Sequence, residues 1–233
     1  MIYFKKREEA PKSLAIEKAK GTENYRGEDV IKALSEDFKD KCYLCESKWP
    51  LDINVEHFDE HRGDRDKMFD WENIFYACAH CNHTKNDIFR TTPSNLLNCT
   101  DIDQKVDLWL EYHLKEGDDL KKLYIEIKRN DLIPDTPYES QIKNTISLLN
   151  LIYNGTGTPL KDQEAYNLTQ QVNKELVDFE SNLSEYCFAN DKNLKESAKE
   201  KIISDLQNDS PYVSFKKWKI YDFHLEGEFS AFF

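Results

Sequence analysis

Two Cys-x-x-Cys pairs, Cys42/Cys45 and Cys78/Cys81, limit what this chain can fold into more than any other feature of it. Each pair closes a tight turn, and four thiolates from two such turns complete the tetrahedral shell of one structural zinc. The gap between the pairs is longer than in a simple zinc ribbon. The chain between them must therefore leave the metal, fold, and return to it. That excursion carries Glu56, His57 and Asn73, and Asn82 directly follows the last cysteine.

Residues 52–58 alternate as a strand does, with Ile53, Val55 and His57 on one side and His57 at the strand end. Residues 59–67 are a charge run that reads as a solvated excursion; the competing reading gives Arg62, Arg65 or Lys67 a grip on nucleic acid. Residues 70–77 return to the metal, and a short helix is expected from Asn82 to about Ile88. A neutral imidazole titrates close to neutral pH, which suits it to act as a general base. His57 is the candidate. His61, in the charge run, and His80, expected to be exposed inside the second cysteine pair, have weaker claims.

The order Cys-x-x-Cys, Glu56-His57, Asn73, Cys-x-x-Cys-Asn82-x-x-Lys85 resembles the HNH endonucleases. The resemblance covers about a fifth of the chain and implies an α+β fold: a ββα-metal core of two strands and a helix around one divalent cation, with the four-cysteine zinc beside it as scaffold. By position, Glu56 and the amide oxygen of Asn82 would hold Mg²⁺ or a similar cation, His57 would activate water, and Asn73 would pin the loop that orients it. Asn82 stands where some family members have His, and the neighbouring His83 competes for the inward position. Lys85, one turn on, could meet a phosphate. The phrases KCYLCE, INVEHF and FDWENIFYACAHCN, with the aromatic end from Ser210 to Trp218, extend the likeness to the PtuB family, the HNH subunits of Septu and retron-associated antiphage systems. That likeness implies a PtuA-like ATPase as partner, a retron reverse transcriptase with its RNA–DNA product in some systems, and DNA or tRNA as substrate. A tRNA-directed nuclease with the same site and a catalytically inactive zinc adaptor are the alternative readings.

The formal net charge of −12 bears on that choice. A protein that binds nucleic acid unaided usually shows a basic face, because phosphate neutralisation supplies most of the non-specific affinity. Neither residues 1–40, nor 41–90, nor 91–233 is basic, so a partner subunit is expected to supply binding surface. No apolar run approaches membrane-spanning length and the start is unlike a secretory signal, which predicts a cytoplasmic protein with no membrane partner. Cys99 and Cys187 are expected to be reduced and inert.

The three segments divide by composition into an N-terminal helical region (1–40), the nuclease core (41–90) and a mainly helical C-terminal region for partner docking (91–233). Residues 2–4 read as a short strand or anchoring arm. Helices are expected from Pro11 to Gly21, carrying Leu14, Ile16 and Ala19, and over 28–39 with Val30, Ile31, Leu34 and Phe38 as its stripe. A small hairpin includes residues 123–127, with Lys121, Lys122, Lys128 and Arg129 around it. Helices follow with Ile142, Ile146, Leu149 and Ile152, then over 160–188 with Leu168, Val172, Leu176, Val177, Phe179 and Leu183, and over 193–207.

Overall fold

The computed structural model describes residues 1–117 and 122–233; Lys121 lies outside the described residues. It is a mixed structure in which helices surround two small antiparallel sheets. Helix α1 (Lys12–Lys20) ends at Gly21, whose φ of 78° supplies the left-handed C-cap. Only Leu14 of its apolar residues is buried, while Ile16 faces solvent. Helix α2 (Glu28–Asp37) buries Val30, Ala33 and Leu34 and leads into buried Phe38. Ile31 is exposed because it sits about 100° around the helix from Val30.

Strand β1 (Ile53–His57) pairs antiparallel with β2 (Ile74–Cys78), in a register that sets Ile53 opposite Cys78 and His57 opposite Ile74. Between them lies the single-turn helix α3 (Arg65–Met68), so the charge run is not wholly solvated. Arg65 donates to the carbonyls of Thr22 and Lys18, 2.9 Å from each, which satisfies the C-terminal end of α1. Arg65 is thus a brace between segments, not a free grip. Helix α4 (Ala79–Ile88) follows β2 without a break and starts three residues earlier than expected. The cause is local: Cys78 is its N-cap, and its sulfur accepts the Cys81 amide, so the second cysteine turn is the first turn of the helix.

Helix α5 (Val106–Trp109) enters β3 (Leu110–Glu116), which pairs with β4 (Leu123–Arg129). Helix α6 (Glu139–Asn154) covers this hairpin. Asn150 and Asn154, one turn apart, each accept from and donate to one backbone residue of β4, Ile127 and Ile125 respectively, at 2.7–3.0 Å. The two amides complete the strand edge that would otherwise be left unpaired. Helices α7 (Pro159–Phe188), α8 (Lys192–Asp205) and α9 (Val213–Asp222) follow. Leu168, Val172, Leu176, Phe179 and Leu183 make the buried stripe of α7; Val177, next to Leu176, points to solvent.

One apolar core runs from Met1 to Phe215 across all three compositional segments. The first residues are an anchoring arm and not a strand: Ile2 and Phe4 are buried, and Phe4 donates to Cys99 O. The α-ammonium of Met1 lies 2.9 Å from the buried carboxylate of Glu46, which also accepts from the Ser214 hydroxyl and, at 3.1 Å, from the Ser214 amide. Burial pushes the Glu46 carboxyl up, but the Met1 ammonium and Lys41 pull it down to about 2. A carboxylate lowered in the fold contributes stability above its unfolded pKa and loses it as the pH falls toward the folded value. Between pH ~4.5 and ~2 the protein should lose about 3 kcal/mol in a step that Glu46→Gln lacks, read by urea unfolding across that range. An equal acid step in both proteins would exclude this cluster as its source.

Candidate metal centre and histidine site

The first cysteine turn is closed by Cys42 N to Ser47 O at 3.0 Å and Glu46 N to Cys42 O at 2.9 Å. Its backbone is strained, since Glu46 (φ 58°) and Trp49 (φ 50°) lie in the left-handed region at about 1–2 kcal/mol each. The Glu46 network and Tyr153, whose hydroxyl donates to Cys45 O at 2.9 Å, hold the turn in place. The sulfurs of Cys42, Cys45, Cys78 and Cys81 lie within 4.8 Å of one another, all buried and none in a disulfide. Zinc–sulfur bonds of about 2.3 Å set tetrahedral S···S edges near ~3.8 Å, and Cys45 Sγ to Cys78 Sγ is 3.9 Å. A hydrogen bond with Cys42 leads in driving Cys45 well below the ordinary thiol range, and another leads in driving Cys78 above it. Burial drives Cys81 up. Four buried sulfurs this close suit a cation, and the cluster can hold a metal ion such as zinc.

His80 does not face solvent as expected. Its Nδ1 is 2.9 Å from Glu164 Oε2 on α7 and its Nε2 is 2.8 Å from Ile152 O on α6, so it ties both helices to the second cysteine turn.

His57 ends β1 and is buried. Its ring packs edge-on against Tyr25 at 4.5 Å between centroids, and tilted against His61 at 4.6 Å. Nε2 lies 3.0 Å from Met68 O. A carbonyl can only accept, so in the neutral ring Nε2 carries the proton and Nδ1 keeps its lone pair. Burial, foremost, pushes the imidazole below its ordinary value and keeps it neutral. Asn73 does not touch this ring. Its Oδ1 accepts from Asp59 N at 2.7 Å, and its Nδ2 donates to Asp59 O at 2.9 Å and Lys67 O at 3.1 Å. It pins both ends of the loop that delivers Met68, and so positions His57 at one remove.

Glu56 and Lys85 depart from expectation together. Lys85 is 1% exposed and cannot meet a phosphate from solvent; its Nζ holds Glu56 Oε1 at 2.5 Å, His57 O at 2.8 Å and Phe58 O at 2.7 Å. The Tyr43 hydroxyl donates to Glu56 Oε1 at 3.1 Å. Glu56 is thus the buried partner of an ammonium, with only Oε2, buried and without a hydrogen-bond partner, left for a cation. Burial pushes its carboxyl up against the pull of Lys85. On α4 the buried face is Cys81, Thr84 and Lys85. Asn82 stands half-buried at its edge, 3.3 Å from Asn86 Nδ2 through Oδ1, and His83 is exposed.

Sequence reasoning missed Tyr25 and undervalued His61. The spacing of His57 and His61 was the available signal for the second; nothing in a turn between α1 and α2 announces the first. Among the described residues no helix is long and apolar enough to cross a membrane. Compared with protein-family models, with curated proteins and with solved structures, the chain matches none.

Proposed function

We propose that this chain is a metal-dependent phosphodiesterase of the HNH type, cleaving nucleic acid, with a zinc at the four cysteines as scaffold. The observation that carries the reading is His57: a neutral imidazole at the end of a strand, with one nitrogen fixed on Met68 O and the other left as a base. The pairing of β1 with β2 and the helix α4 that follows, with the cysteine turns at both ends of the unit, support that reading. In this reading Nδ1 of His57 takes the proton from the attacking water. Tyr25 and His61 keep the ring in place and bulk water away from it, while Asn73 and Lys85 fix the backbone on either side.

In this reading the buried Glu56 Oε2, which has no hydrogen-bond partner, would hold the divalent cation, and the amide oxygen of Asn82 would be its second ligand. Mg²⁺ bound there would stabilise charge on the scissile phosphate and the departing 3′ oxygen. The acidic balance supports control by a PtuA-like ATPase in an antiphage system, since a nuclease held on a larger assembly need not carry a broad basic face of its own. The closed Glu56–Lys85 pair favours a second reading, an inactive zinc adaptor.

The test is cleavage of plasmid DNA and of bulk tRNA by the wild type and His57→Ala, with Mg²⁺, each alone and with a PtuA-like ATPase. We expect the wild type to cut one of the two substrates and His57→Ala to lose about 10²–10⁴-fold with its zinc retained. Undiminished cutting by His57→Ala would remove this residue as the base. Absence of cutting under every condition, with zinc bound, would favour the adaptor.

A further inference from the structure

Three groups touch the His57 ring: Tyr25 and His61 with their own rings, and Met68 with its carbonyl. Each is chain neighbour to an exposed cation, namely Arg26, Arg62 and Lys67. Consecutive Cα atoms are about 3.8 Å apart, so three exposed cations, from three separate turns of backbone, each stand one residue away from a group that touches this imidazole. None of the three has a carboxylate partner among the described residues, whereas Lys18, Arg7 and Lys85 nearby are all paired. Their backbone is held. Arg26 N donates to Asn24 Oδ1 and its guanidinium to the Tyr25 hydroxyl at 2.9 Å, His61 O accepts from Asp64 N at 2.7 Å, and Lys67 O accepts from Asn73.

The acids of the same loop are largely spoken for. Asp64 and Asp70 turn back onto backbone amides as helix caps, and Asp66 is bound to Lys18 at 2.7 Å. Asp59 and Glu60 have no such partner, and the charge of Glu60 acts on the His57 ring.

We infer that Arg26, Arg62 and Lys67 form a cationic rim around His57 that grips the phosphodiester backbone of the substrate, a deepening that rests on the phosphodiesterase reading. The rim puts three positive charges without a carboxylate partner beside the groups that contact the His57 ring, on a chain that is acidic as a whole. It also draws in the turn between α1 and α2, outside the cysteine-bounded unit, as part of the substrate surface. A backbone grip is common to DNA and RNA, and the two are separated by the choice of probe.

The experiment is fluorescence anisotropy with a short labelled DNA duplex and with labelled tRNA, across a salt series without added Mg²⁺. It compares the wild type, the triple variant R26A/R62A/K67A, and a control of equal charge change at distant lysines, K143A/K174A/K201A. The rim variant should bind more weakly, and its log K against log salt on the duplex should be shallower by about 2.7, from ~0.9 per phosphate contact. The control should bind as the wild type does. Loss on both probes assigns the rim to the shared backbone; loss on one alone names the substrate class. Equal weakening by both triple variants, no weakening by either, or no binding by the wild type at low salt would overturn the rim. Rim-dependent binding without cleavage under any condition would retire the catalytic reading and leave the rim standing. Cleavage with rim-independent binding would do the reverse.

Discussion

Removing the metal ion proposed at Cys42, Cys45, Cys78 and Cys81 should unfold the protein at room temperature. A structural four-thiolate zinc is worth about 10–16 kcal/mol at neutral pH, against a whole-domain stability of about 5–15 kcal/mol. The dependence is sharpened here by what the cluster holds. Cys78 caps α4, Cys45 O accepts from Tyr153 on α6, and the first turn is strained at Glu46 and Trp49. Without the ion, thiols driven apart in pKa would have to share protons in a buried space. Chelation, or Cys81→Ser, should abolish the cooperative thermal transition, with metal content measured on the same samples. Cys99→Ser, at a buried cysteine outside the cluster, is the control and should retain the transition. An unchanged melting curve after complete metal loss would show that the thiols fold without an ion.

The second large effect is expected at Lys85→Met. It leaves Glu56 buried at 4% exposure without its counter-charge, and removes the donor that holds the carbonyls of His57 and Phe58. Breaking a buried pair at one end costs about 3–5 kcal/mol, while replacing both ends by groups of similar volume is often neutral. Lys85→Met should therefore be strongly destabilised near neutral pH, and Glu56→Gln/Lys85→Met should recover part of the loss. The sign with pH follows from Glu56. Its folded pKa lies above its unfolded one, so the folded state holds the proton longer and stability falls as pH rises above the unfolded value. The deficit of the single variant should shrink as the pH is lowered toward ~4.5. Urea unfolding at both pH values decides it, and a deficit independent of pH would mean that lost packing, not the stranded carboxylate, is responsible.

The local features of this chain were legible because each depends on residues close in sequence. Helix lengths followed from apolar spacing and from Pro11 and Gly21, strand β1 from its alternation, and the metal cluster from two repeated turns. The errors of face at Ile31 and Val177 are also local: each adjoins a true stripe residue, and sequence alone cannot say where the stripe stops.

What only the tertiary structure decided concerns polar side chains. Arg65, Lys85 and His80 read as exposed or substrate-facing, because a charged residue is most often solvated. Each is instead bonded to a carbonyl or carboxylate brought in from elsewhere: Thr22 and Lys18 for Arg65, Glu56 for Lys85, Ile152 and Glu164 for His80. Tyr25 reaches His57 from a turn 32 residues earlier in the sequence. The sequence by itself determined the cysteine cluster, the hairpin and helix beside it, and the helical character of the remainder, since hydrophobic period and ligand spacing are properties of short stretches. The surroundings of His57 and the partner of Glu56 were decided by packing, because a buried polar group must find its complement somewhere and nothing in its own neighbourhood of sequence says where.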